Sequence, residues 1–233
     1  MLTTDSLPHR ASPIRRSGPP VAAAEAAVIL LHGRGATAES MFEFERLLDL
    51  DDKVAWIAPQ ADQNTWYPNS FLAPLSHNQP YLAGALARID EVVESVLVEG
   101  VAAERIALLG FSQGACLALE YAARFGRNLG AVIALSGGLI GTVQKRDVRP
   151  PDDKEFQYPG RLDGVPFFLG CSDVDAHIPL ARVERSAAVL KDLGAEVEAR
   201  IYPGMGHTVN ADEIRMARDL LARCCAKGAN GLQ

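Results

Sequence analysis

The chain has 233 residues, 48% of them apolar and 22% charged, with a formal net charge of −6. That length and balance suit a single globular α/β domain with a sizeable core. The acidic charge and the lack of Lys/Arg-rich runs exclude a nucleic-acid binder and disfavour anionic membrane surfaces, and no apolar stretch reaches transmembrane length.

Residues 1–20 carry Pro8, Pro13, Pro19 and Pro20 among Arg10, Arg15 and Arg16. With no apolar h-region they read as a flexible N-terminal arm rather than a signal peptide. One domain is expected over residues 21–228, followed by a tail over 229–233. The four cysteines, Cys116, Cys171, Cys224 and Cys225, show no zinc spacing and no disulfide framework, which points to a reducing, cytoplasmic setting.

Ala26-Ala-Val-Ile-Leu-Leu31 is an uninterrupted apolar run, as expected of a parallel strand covered on both faces. It enters His32-Gly33-Arg34-Gly35-Ala-Thr-Ala38, after which a helix is predicted through Met41, Phe44, Leu47 and Leu48. The glycine-rich loop has two readings. Gly33-x-Gly35-x-x-Ala38 matches a loose dinucleotide fingerprint, which would make the chain a nucleotide-dependent oxidoreductase. That fingerprint wants an acid closing the second strand, and Val54-Ala-Trp56-Ile-Ala58 ends instead in Pro59-Gln60. The other reading takes the Arg34 N–H as one donor of an oxyanion hole, leaving the Arg34 side chain free.

The stretch 61–80 is long for a loop without a task. Its Trp66, Tyr67, Phe71, Leu72 and Leu75 either line a substrate pocket or plug the sheet edge; Leu139 and Ile178, farther along, are further substrate-binding candidates. His77 is expected at the surface. A helix over 81–99 buries Leu82, Leu86, Ile89, Val93 and Val96 and stops at Gly100.

The organising stretch is Ile106-Ala-Leu-Leu-Gly110-Phe-Ser112-Gln-Gly114-Ala-Cys116-Leu. A buried strand breaks at Gly110 and passes into a helix running to Gly126, with Gly-x-Ser-x-Gly between them. On so sharp a strand-to-helix turn the positions two before and two after the serine must lack side chains, and the hydroxyl stands alone in front of a helix N-terminus. Strands are expected over 131–135, 165–169 and 196–202, and helices over 180–193 and 211–226. The polar stretch 141–164 leaves no room for a cap domain, so a hydrolase built this way has an open site. Alternating strands and helices predict a doubly wound, mostly parallel sheet, whose ligands sit at the carboxyl ends of the strands.

A serine nucleophile needs a base, and the base needs an orienting acid. His207, in a glycine-flanked loop after the last strand, has the placement for the base. The acid is Asp173 or Asp175, which share one turn; Asp173-x-Asp175-x-His177 as a metal cluster lacks further ligands. The order serine, acid, histidine is that of the α/β-hydrolases.

Leu31-His-Gly-Arg-Gly, Gly110-Phe-Ser-Gln-Gly-Ala, Leu135-Ser-Gly-Gly, Asp175-Ala-His-Ile-Pro179 and Gly204-Met-Gly-His207 resemble the phospholipase/carboxylesterase family of α/β-hydrolases, which includes the acyl-protein thioesterases. The resemblance runs from about Val28 to Leu221. It implies an α/β-hydrolase fold, a catalytic triad of Ser112, Asp175 and His207, and oxyanion donors in the backbone N–H groups of Arg34 and Gln113. It implies serine esterase or thioesterase activity on a small or acylated ester, with no cofactor, no metal and no stable membrane insertion; a homodimer is admitted. Trp66-Tyr67-Pro-Asn-Ser-Phe71 departs from the tryptophan–aromatic–aspartate segment usual in thioesterase-like members and bears on substrate choice. A hydrolase-fold binding protein with an inactive site is the rival from another class.

Overall fold

The computed structural model describes residues 7–50, 52–141 and 156–226. Seven strands form one sheet in the order β1-β3-β2-β4-β5-β6-β7, all parallel except β1. They are β1 (Ile14–Ser17), β2 (Ala26–Leu31), β3 (Val54–Pro59), β4 (Ile106–Phe111), β5 (Ala131–Leu135), β6 (Pro166–Ser172) and β7 (Glu196–Tyr202). The helices are α1 (Phe42–Leu48), α2 (Tyr81–Val98), α3 (Gln113–Phe125), α4 (Leu180–Asp192) and α5 (Ala211–Ala226).

The pleat explains why the central strands are apolar throughout. In β2, Ala27, Ile29 and Leu31 point to the layer that holds α2, α3 and α4, while Val28 and Leu30 point to the layer of α1 and α5. In β4, Ile106 and Leu108 take the first side and Ala107 and Leu109 the second. Two cores therefore sandwich one sheet, the doubly wound arrangement of an α/β-hydrolase fold.

The N-terminal segment departs from expectation. From residue 7 it is docked rather than flexible: β1 pairs antiparallel with β3, Ile14 opposite Pro59 and Ser17 opposite Trp56. His9 is fully buried. Its backbone N–H donates to Asp62 Oδ2 at 2.7 Å, and Arg88 Nη2 on α2 donates to the Ser12 carbonyl at 2.7 Å. The docking also spends the edge hydrogen bonds of β3, which would otherwise lie open. The tail at 229–233 and most of the polar stretch expected to exclude a cap (142–155) lie outside the described residues.

Candidate active site

At the carboxyl edge of β4 the chain turns at Ser112 with φ 55° and ψ −116°, a region that side chains rarely occupy. A Cβ on Gly110 would stand 2.3 Å from the Gly114 carbonyl oxygen, and one on Gly114 would stand 2.0 Å from the Leu31 carbonyl oxygen. Both positions therefore admit only glycine. The turn is fixed by Ser112 N–H donating to the Leu135 carbonyl at 2.9 Å.

The loops after β6 and β7 bring the other two groups over the same edge. His207 Nε2 lies 2.9 Å from Ser112 Oγ, and His207 Nδ1 lies 2.7 Å from Asp175 Oδ2. The Asp175 side chain is wholly shielded from solvent, whereas His207 keeps part of its ring open. Burial works to raise the Asp175 pKa, but hydrogen bonds from His207 and from the backbone N–H groups of His177 and Ile178 outweigh it and hold the carboxyl below its ordinary range. The second aspartate has a different task. Asp173 Oδ1 accepts the Gly204 N–H at 2.8 Å, and the buried Ser172 Oγ accepts the Gly206 N–H at 3.0 Å, so both hold the loop that carries His207.

Gly33, Arg34, Ser112 and Gln113 line one cleft with His207. Among the described residues neither the Arg34 nor the Gln113 backbone N–H meets an acceptor, which leaves two donors beside the serine. Cys116 forms part of the floor. Burial pushes its thiol up to about 12, so it stays protonated at neutral pH and is no competing nucleophile.

The sequence profile of the phospholipase/carboxylesterase family matches residues 18–225. This chain belongs to that family. It is 30% identical over 209 residues to the acyl-protein thioesterase 1 of Gibberella zeae, covering 81% of this chain and 86% of the relative. To the Neurospora crassa protein of the same name it is 27% identical, over 91% and 92% of the two chains. A phospholipase/carboxylesterase crystal structure from Dyadobacter fermentans superposes with a TM-score of 0.80 at 42% identity, covering 91% of this chain and 97% of the other. The chain is thus an ester-hydrolysing enzyme of the α/β-hydrolase fold. The dinucleotide reading of Gly33-x-Gly35-x-x-Ala38 gives way to the family match, and Gly33 and Arg34 line the same cleft as Ser112.

In this enzyme the cleft measures about 490 Å³, and Tyr67, Phe71, Phe111, His177 and Ile178 stand among its walls. Phe71 and Ile178 are where the sequence reading has them. Trp66 is not: it lies fully buried behind the wall, its ring 4.9 Å from that of His32 and 5.5 Å from that of His9, its Nε1–H donating to the His32 carbonyl at 2.9 Å. Leu139 is likewise core, and Leu72 and Leu75 pack half-buried against that core instead of lining the cleft. The loop thus serves both purposes, one set of side chains anchoring it and the other facing the ligand. Phe111 and His177 escape the sequence reading, although each adjoins a motif residue: Phe111 precedes the serine, and His177 stands two positions after Asp175 with its ring 4.8 Å from that of His207.

The anchoring is polar as well as apolar. His9 Nδ1 accepts the Asp62 N–H at 3.0 Å, leaving Nε2 to donate to the Trp66 carbonyl at 3.0 Å. His32 Nε2 accepts the Ala61 N–H at 3.1 Å, leaving Nδ1 to donate to the Gly33 carbonyl at 2.8 Å. Burial lowers both pKa values, so each ring stays neutral and keeps one tautomer. The Arg34 side chain, expected to be free, donates to the carbonyls of Tyr67, Pro68 and Asn69 at 2.9, 2.9 and 2.7 Å.

Proposed function

We propose that the chain is a serine carboxylesterase or thioesterase, cleaving a carboxylic ester or thioester through an acyl-enzyme. The observation that carries this reading is the unbroken relay from Asp175 through His207 to Ser112, with hydrogen bonds of 2.7 and 2.9 Å beside an open cleft. A serine hydroxyl is a poor nucleophile at neutral pH until a base touches it and an acid orients that base.

His207 Nε2 takes the proton of Ser112 Oγ as the oxygen attacks the acyl carbonyl. Asp175 keeps Nδ1 protonated and stabilises the imidazolium that forms. The carbonyl oxygen, now negative, is received by the N–H groups of Arg34 and Gln113, each such donor being worth about 3 kcal/mol or roughly a hundredfold in rate. His207 hands the proton to the departing alkoxide or thiolate. Water then repeats the sequence on the acyl-enzyme and releases the carboxylic acid. Support for a thioester among the substrates comes from the acyl-protein thioesterases to which the chain is similar. All four cysteines are thiols, which fits a cytoplasmic setting.

Ser112→Ala is expected to abolish turnover of a p-nitrophenyl ester. Asp175→Asn should lower kcat on the order of 10³- to 10⁴-fold because the amide cannot fix the imidazole tautomer. Asp173→Asn should stay close to wild type, since its amide oxygen still accepts the Gly204 N–H. Wild-type turnover in the Asp175 variant would refute the assignment.

A further inference from the structure

The two oxyanion donors belong to different elements, the loop after β2 and the first turn of α3. Their side chains converge on one four-residue segment of the cleft wall. Gln113 Oε1 accepts the Trp66 N–H at 2.8 Å, and Gln113 Nε2 donates to the Tyr67 carbonyl at 2.9 Å. Arg34 Nη2 donates to that same Tyr67 carbonyl at 2.9 Å, and the guanidinium continues to the carbonyls of Pro68 and Asn69. A single oxygen, that of Tyr67, therefore joins the side chains of both donor residues. With His9 on the Trp66 carbonyl, every carbonyl from Trp66 to Asn69 is engaged.

We infer that the Arg34–Tyr67–Gln113 linkage is a brace that sets the spacing of the oxyanion hole, with Arg34 and Gln113 acting as positioning residues through their side chains as well as donors through their backbone. A guanidinium suits this task because its planar fork reaches several acceptors in fixed geometry, which a lysine ammonium on its flexible stem does not reproduce. Donors aimed at a developing oxyanion lose effect steeply when misplaced, a shift of about 1 Å costing about a hundredfold. The brace rests on the assignment of Ser112 as nucleophile proposed above.

The test exploits the fact that replacing a side chain leaves its backbone N–H chemically unchanged. In Arg34→Met, kcat for a p-nitrophenyl ester should fall about ten- to a hundredfold with KM within about twofold, because the loss falls on the transition state. Binding of an aryl trifluoromethyl ketone, which forms an oxyanion on the serine, should weaken by the same factor. Arg34→Lys should not restore either quantity. The Arg34→Met/Gln113→Met double variant should lose less than the product of the single losses, since both act through one carbonyl. Wild-type kcat and inhibitor affinity in Arg34→Met would overturn the brace, as would a loss confined to KM or one matched by the fraction unfolded at the assay temperature. Ser112→Ala, assayed alongside, separates the two ideas: if it turns over ester the nucleophile is wrong, and if it is inert while Arg34→Met is unimpaired, only the brace is.

Discussion

At Glu213, near the start of α5, a carboxyl group is completely buried. Its Oε2 accepts the Asn210 N–H at 2.9 Å, and Asn210 Oδ1 accepts the Glu213 N–H in return at 2.9 Å, the reciprocal arrangement of a capping box. Oε1 has no partner among the described residues and faces Gly170, where a Cβ would stand 2.3 Å from it. Burial raises the pKa from 4.5 to about 7. Between those values the folded chain holds a proton that the unfolded chain has released, so this group's contribution to stability declines as pH rises from 4.5 to 7. Glu213→Gln keeps an oxygen for Asn210 and removes the charge. It should therefore stabilise the protein more at pH 8 than at pH 4.5, by a difference on the order of 3 kcal/mol in denaturant melts. An equal effect at both pH values would contradict the burial argument. Individual residues differ in how far the sequence announces them. Ser112 and His207 stand in glycine-marked turns after strands, and their placement is readable. The side of the cleft wall on which Trp66 or Leu139 falls is not, because an apolar residue looks the same in sequence whether it faces a ligand or the core. His9 gives no signal at all: what buries it is the fold of a loop more than fifty residues away.

At the level of elements, the turn from β4 into α3 shows how steric exclusion fixes a conformation. Ser112 is held at positive φ because the strand and helix approach too closely for side chains at Gly110 and Gly114. Gly114→Ala should cost at least about 3 kcal/mol, as its Cβ would collide with the backbone of β2. Gly33→Ala, whose Cβ would meet nothing nearer than 3.4 Å, should change stability by less than about 1 kcal/mol. Equal losses in a thermal melt would show that something other than this close approach holds the turn. The same physics made the inner elements legible. Strands covered on both faces are continuous apolar runs, and β2 and β5, buried throughout, start and end where the sequence puts them. β1 was not legible, since an edge strand carrying Arg15 and Arg16 on a half-exposed ribbon has neither a continuous run nor an alternation long enough to read.

Across the whole molecule, one edge of the sheet gathers groups far apart in sequence. The loops after β2, β4, β6 and β7 supply Arg34, Ser112, Asp175 and His207, and the N-terminal segment reaches over to fasten the loop that walls the cleft. The carboxyl-edge rule for parallel sheets foretells the gathering, and the family resemblance selects Asp175 from the pair of aspartates. What neither foretells is the fastening by His9, Arg34 and Gln113, which depends on backbone carbonyls that any sequence would carry. The central claim is that Ser112 bears the acyl group between the two halves of the reaction. Rapid acid quenching of the enzyme with a p-nitrophenyl ester, followed by intact-mass and peptide mass spectrometry, tests it most directly. A mass increase equal to the acyl group, mapped to Ser112 and absent from Ser112→Ala, is the predicted result; turnover with no adduct under quench conditions fast enough to trap one, or an adduct on another residue, would contradict it.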